Sequence, residues 1–148
     1  MVQKCRICGG ETSQTGLLYR CLLDSCKGVH WDKSAIKKLN LKKSKDSTKE
    51  ILKEAGVPEY LRSTKSHYVY VLRLRGKKNY VYVGMTGLHP YERYLNHIRG
   101  YRSSKIAKAK ATALITFEGP MDHKKAKIRE PELAQELKNS GHTVDGGH

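Results

Sequence analysis

The chain has 148 residues, with 29 lysines and arginines against 14 acids and a formal net charge of +15. That length holds one modest core or two small domains, and that charge suits a polyanionic partner, nucleic acid first. No apolar run approaches the ~20 residues of a membrane span, no strong apolar stripe opposes the charge as a membrane-surface helix requires, and MVQKCRICGG at the start has no signal-peptide core.

Residues 1–32 carry all four cysteines and the only tryptophan. The absence of a signal core makes the reducing cytoplasm the expected compartment, where cysteines bind metal more readily than they pair. Cys5 and Cys8, followed by Gly9 and Gly10, form one close pair, and Cys21 and Cys26 form another. This spacing predicts a four-cysteine zinc ribbon. Each pair lets one turn aim two thiolates at a tetrahedral ion, and glycine frees amides to bond the sulfurs. Leu17–Arg20 reads as a ribbon strand. His30 is a rival ligand or a packing residue, and Trp31 a packing residue. A closed four-thiolate shell leaves no open coordination position, so its Zn²⁺ would be structural and would fold a small module. Lys4, Arg6, Arg20 and Lys27 give that module a way to touch nucleic acid.

Residues 33–66 are a lysine-rich, partly helical linker. A short helix is expected over Ser34–Leu41, with Ile36 and Leu39 inward, and Lys42–Lys45 reads as loop. Ser47 and Glu50 form a capping box at the start of a second helix. Ile51, Leu52 and Ala55 give it an apolar face, and Gly56 and Pro58 stop it. The segment is either a basic arm along a phosphate backbone or a tether.

Residues 67–148 alternate strand and helix signals. Tyr68–Arg73 and Tyr80–Gly84 are dense in β-branched and aromatic residues. GKKN at 76–79 reads as the hairpin turn between them, with Gly76 and Asn79 suited to positive φ. Pro90 opens a helix. Tyr91, Tyr94, Leu95 and Ile98 form its apolar stripe, Arg93 and His97 lie one turn apart on its polar side, and Gly100 comes near its end. Ala111–Phe117 reads as a third strand. A helix follows from about Asp122. Pro131 must break or restart it, so that Glu132–Asn139 packs separately through Leu133 and Leu137. Lys77, Lys78, Arg102, Lys105, Lys108 and Lys110 are candidate phosphate contacts, and Tyr101 could stack on a base or cap the helix. The expected fold is α+β: a small three-stranded mixed sheet flanked by helices, behind a zinc ribbon.

Tyr68-Val69-Tyr70, Tyr82-Val83-Gly84, Thr86, Arg93, His97 and the pair Ala126/Glu130 occur in one ordered series. This series resembles the GIY-YIG nucleases over roughly residues 67–142. Tyr68 stands where that family's first motif has its glycine. The resemblance implies a metal-dependent DNA endonuclease, with RNA left open. Tyr70 would be the general base toward water, and Tyr82 would orient water and phosphate. Arg93 would stabilise the phosphate oxygens, and His97 would hydrogen-bond a phosphate oxygen or a tyrosine hydroxyl. Glu130 would hold one Mg²⁺ or Mn²⁺, with Glu118, Glu132 and Glu136 as rivals. Monomer and dimer both stay open. The competing expectation is a zinc-containing nucleic-acid-binding protein without catalysis.

Overall fold

The computed structural model describes residues 3–39, 45–57 and 67–147. Three short strands come first: β1 (Thr12–Thr15), β2 (Leu18–Cys21) and β3 (Val29–Trp31). Helices α1 (Lys33–Leu39) and α2 (Lys45–Glu54) follow. The hairpin is β4 (His67–Leu74) and β5 (Tyr80–Thr86), leading into α3 (Pro90–Arg99) and α4 (Lys105–Lys110). The chain ends with β6 (Ala111–Met121), α5 (His123–Asn139) and β7 (Thr143–Gly146).

The sheet corrects the three-stranded expectation. It has seven strands in the order β1-β2-β3-β6-β4-β5-β7. Two junctions enlarge it. Val29 of β3 pairs with Leu114 of β6, which joins the ribbon strands to the hairpin sheet. β7 adds in parallel to β5, from Tyr80 opposite Thr143 to Val83 opposite Gly146. The remaining pairings are antiparallel.

β4 is central and covered on both faces, which explains its near-continuous apolar reading. Val69 and Val71, with Val81 and Val83 of β5, pack under Ala126, Leu133 and Ala134 of α5. Tyr70, Leu72 and Leu74 point the other way, into a cluster with Tyr94 and Leu95 of α3, Ile51 and Leu52 of α2, and Leu18 and Trp31 of the ribbon strands. The ribbon therefore contributes to the same core. Trp31 is fully buried and donates its indole N–H to the Tyr91 carbonyl at 3.1 Å. Arg73 donates to the Arg6 and Ile7 carbonyls at 3.0 and 3.2 Å, and Arg6 donates to the Thr112 carbonyl at 3.3 Å.

The hairpin turn takes the expected form, with φ of +108° at Gly76 and +52° at Asn79. Pro90 stands at the start of α3, and Gly100 closes it in a left-handed conformation. Three helix expectations fail. In α1 Ile36 is buried as expected, but Leu39 is exposed rather than inward. Helix α2 begins at Lys45, so Ser47 lies inside it rather than at its cap. Its side chains serve tertiary contacts instead: Thr48 donates to Asn96 Oδ1 at 3.3 Å and accepts from Arg99 at 2.9 Å. Helix α5 runs unbroken through Pro131. The missing N–H and the ring clash cost about 3 kcal/mol, against which the helix buries Ala126, Leu133 and Ala134 on one apolar face. Pro131 and Lys127 are exposed, so water can reach the carbonyl that loses its donor. The segment 42–44 and Pro58 lie outside the described residues. Among the described residues no helix is long and apolar enough to cross a membrane.

Candidate active site

Tyr70 and Tyr82 project from the hairpin toward α3. In the β4–β5 register Tyr70 faces Gly84 and Leu72 faces Tyr82. The glycine of the second triplet has a steric reason. A Cβ at Gly84 would lie 2.4 Å from the Tyr70 hydroxyl oxygen, so the phenol occupies the space a side chain would need. The two phenol rings and the His97 imidazole form a triangle. Ring centroids are 6.3 Å apart for Tyr70 and Tyr82, 5.8 Å for Tyr70 and His97, and 5.6 Å for Tyr82 and His97.

His97 is fully buried, although it lies on the side of the helix that reads as polar in sequence. It points at the sheet because the face opposite Tyr91 is also covered. Its Nε2 lies 2.7 Å from the Tyr70 hydroxyl and its Nδ1 lies 2.8 Å from Ser103 Oγ. Burial, helped by the Arg93 charge, pushes the His97 pKa down to about 3, so the ring is neutral at ordinary pH. Burial also raises the Tyr70 pKa, with the Arg93 charge opposing and the Tyr82 and Glu130 charges reinforcing it. Tyr82 is half-buried and shifts the same way, through burial first, with Arg93 opposing and Glu130 reinforcing. The charges of the arginine and the carboxylate thus act on both phenols.

Arg93 is fixed by its own chain: Nη1 donates to the Arg102 carbonyl at 2.8 Å. Glu130 is buried on α5. Two of its rivals are engaged elsewhere. Glu118 takes a bidentate pair from Arg129 at 2.8 and 3.0 Å, and Glu136 is bound by the same guanidinium. Glu132 is exposed. The structure packs Tyr70, Tyr82 and His97 together, within electrostatic reach of Arg93 and Glu130.

The basic candidates spread more widely. Lys77 and Lys78 sit in the exposed turn, and Lys77 lies 5.1 Å from the Tyr80 ring centroid, with Lys110 at 5.4 Å. Arg102 lies 5.3 Å from the Tyr101 ring centroid and carries a φ of +49°. Lys105 and Lys108 are exposed on α4. Arg20 lies 5.5 Å from the Tyr91 ring centroid. The sequence reading missed Ser103, which hydrogen-bonds His97, and Ser104, which opposes the burial shift on Tyr82. Two serines in a short loop carry no pattern that could have singled them out.

The four cysteines also meet. Their sulfurs all lie within 4.8 Å of one another, with Cys5–Cys26 at 3.7 Å and Cys8–Cys21 at 3.5 Å. A tetrahedral ion with Zn–S bonds of ~2.3 Å sets its sulfurs about 3.8 Å apart, so the set fits Zn²⁺. The Ile7 and Gly10 amides donate to Cys5 and Cys8, each at 3.4 Å. The Gly10 amide is the main reason the Cys8 pKa is lowered. His30 is not needed as a fourth ligand. It is buried, with Nε2 at 3.2 Å from Cys5 Sγ. Burial pushes the Cys26 thiol up to about 12, so a bound cation would have to drive its ionisation.

The family model described as GIY-YIG catalytic domain matches residues 66–143. Neither a curated protein nor a solved structure matches the chain. The matched span is more than half of the 148 residues and contains the whole Tyr/Arg/His/Glu cluster. The chain belongs to the GIY-YIG family, and its function is of the nuclease type.

Proposed function

We propose that the chain is a metal-dependent DNA endonuclease that hydrolyses phosphodiester bonds through Tyr70, Tyr82, Arg93, His97 and Glu130. The observation that carries this reading is the buried contact of Tyr70 with His97, within electrostatic reach of Arg93 and Glu130. Nothing in folding calls for a phenol, an imidazole, a guanidinium and a carboxylate at one point.

With its pKa raised by burial, Tyr70 is protonated near neutrality. It serves as a base only by giving up its own proton as it takes one from water. His97 Nε2, at 2.7 Å, is the acceptor. As the water oxygen bonds to phosphorus, its proton passes to Tyr70 and the Tyr70 proton passes to His97. The bond from phosphorus to the leaving oxygen breaks, and that oxygen takes a proton from solvent. His97 then returns its proton to solvent. Burial makes the imidazolium costly, so it exists only in passing and next to the phosphate anion. The Arg93 fork stabilises the equatorial oxygens. Half-buried Tyr82 orients water and phosphate.

Glu130 would hold one Mg²⁺ or Mn²⁺, since a lone carboxylate suits an ion that keeps most of its waters. Such an ion, when bound, polarises the phosphate and the leaving oxygen. Cys5, Cys8, Cys21 and Cys26 would hold a structural Zn²⁺, and a reducing cytoplasm keeps these thiols available. Lys77, Lys78, Arg102, Lys105 and Lys108 would contact DNA phosphates.

One observation favours a second reading, a zinc-containing nucleic-acid-binding protein without catalysis. Tyr70 is only 1 % exposed, which a structural tyrosine would also be. Incubation with supercoiled, linear duplex and single-stranded DNA, each with Mg²⁺, Mn²⁺ or chelator, separates the two. The nuclease reading expects product that disappears with chelator. Salt-sensitive binding without product under every metal condition would leave the second reading.

A further inference from the structure

Three successive residues of the α3–α4 loop act on three of the proposed catalytic side chains. The Arg102 carbonyl accepts from Arg93, Ser103 bonds His97, and Ser104 lowers the Tyr82 pKa against the stronger effect of burial. The left-handed Gly100 cap and the φ of +49° at Arg102 turn the chain back under α3. Ser103 thereby comes to lie beneath the imidazole.

The direction of each bond in this network follows from one backbone carbonyl. Ser103 Oγ lies 2.9 Å from the Ser104 carbonyl oxygen, which can only accept. With the single Ser103 hydroxyl proton directed at the Ser104 carbonyl, both Oγ contacts are hydrogen bonds; with it directed at Nδ1, two oxygens would face each other at 2.9 Å with no proton between them. Toward His97, at 2.8 Å, Ser103 is left only able to accept. Nδ1 must then carry the imidazole proton. In a neutral ring the other nitrogen is bare, so Nε2 accepts from the Tyr70 hydroxyl at 2.7 Å.

We propose that Ser103 is a positioning residue that locks His97 in the Nδ1–H tautomer, leaving Nε2 free for the Tyr70 proton. The catalytic part of this proposal rests on the nuclease reading above. Without the lock, His97 can tautomerise to the Nε2–H form and donate to Tyr70, and the phenol then has no acceptor behind it.

The test uses the full chain with ¹⁵N-labelled histidine, and NMR reads the protonation of each His97 nitrogen. The wild type is expected to show Nδ1 protonated and Nε2 bare. Ser103→Ala should shift His97 toward the Nε2–H tautomer. Its kcat for DNA cleavage should fall on the order of 10²-fold, the lower end of what a positioned proton acceptor contributes, with KM little changed. Ser103→Thr keeps the hydroxyl and should restore both readouts. A wild-type His97 in the Nε2–H form would overturn the proposal. So would a Ser103→Ala variant with unchanged tautomer and unchanged kcat. If the wild type shows the Nδ1–H form but cuts no DNA, the nuclease reading fails while the tautomer lock stands.

Discussion

Tyr70 and Gly84 face each other across β4 and β5, and the phenol fills the space above the glycine. Gly84→Ala puts a methyl group 2.4 Å from the Tyr70 hydroxyl oxygen. Neither strand can move apart without breaking the ladder, so the ring must leave His97. We expect a loss of roughly 1–3 kcal/mol, typical of overpacking, measured by urea unfolding. Cleavage should fall much further than the folded fraction does. A variant with full stability and full activity would contradict the packing described for the two triplets.

Acid should loosen the aromatic site. Burial lowers His97 to about 3, helped by Arg93, and His89 to about 4, helped by Arg20. Unfolded histidine titrates near 6.5, so between these values the unfolded state binds more protons and stability rises with pH. The contribution is complete above about 6.5 and is lost as pH falls toward about 4 for His89 and about 3 for His97. Each ring should cost on the order of 2 kcal/mol at pH 5. His89 caps α3 by accepting from the Tyr91 amide at 3.2 Å. His89→Asn keeps a capping oxygen but removes the titration, so chemical unfolding at pH 5 and 7.5 should differ less for it than for the wild type.

The thiolate site and the nuclease sheet share a strand boundary at Val29 and Leu114. Metal binding should therefore report beyond the first residues. Elemental analysis should find one zinc per chain. Chelation, or Cys8→Ser, should lower Tm by several degrees and speed hydrogen exchange in β6 as well as β2 and β3. Loss confined to residues before Val29 would mean that the two parts of the sheet open independently.

Binding should be dominated by phosphate contacts. The net charge is +15, and Lys77, Lys78, Arg102, Lys105 and Lys108 are exposed. The slope of log K against log salt is about −0.9 per neutralised phosphate on duplex DNA. Each of Lys105→Ala and Lys108→Ala should flatten it by close to one such step, read by fluorescence anisotropy across a salt series. A salt-independent affinity would exclude phosphate contact as the basis of binding.

Much of this was legible in the chain, for identifiable reasons. Tyr68–Arg73 and Tyr80–Gly84 announce strands because β4 and β5 are covered on both faces and so are built from β-branched and aromatic residues. Pro90 and Gly100 bound α3 through backbone constraints that depend on local sequence alone. The seven-stranded sheet was not legible, because β7 has one apolar residue, Val144, and is recruited by the β5 edge. The single pairing of Val29 with Leu114 is equally silent in sequence. Pro131 misled because its local penalty was weighed without the apolar face that α5 buries. The five proposed catalytic residues appeared in order. That His97 is buried, and that Ser103 supports it, depended on a loop whose path only the folded chain reveals.

The central claim is that one cluster of Tyr70, Tyr82, Arg93, His97 and Glu130 performs metal-dependent hydrolysis. The most direct measurement is the single-turnover rate of supercoiled plasmid cleavage, with and without Mg²⁺, for the wild type, Arg93→Ala and Glu130→Gln. The account predicts Mg²⁺-dependent nicking by the wild type. It predicts a loss of about 10²–10³-fold for Arg93→Ala and loss of metal dependence together with activity for Glu130→Gln, while both variants keep the wild-type circular dichroism and bind DNA. Cleavage by either variant at the wild-type rate, or wild-type cleavage that persists in chelator, would contradict it.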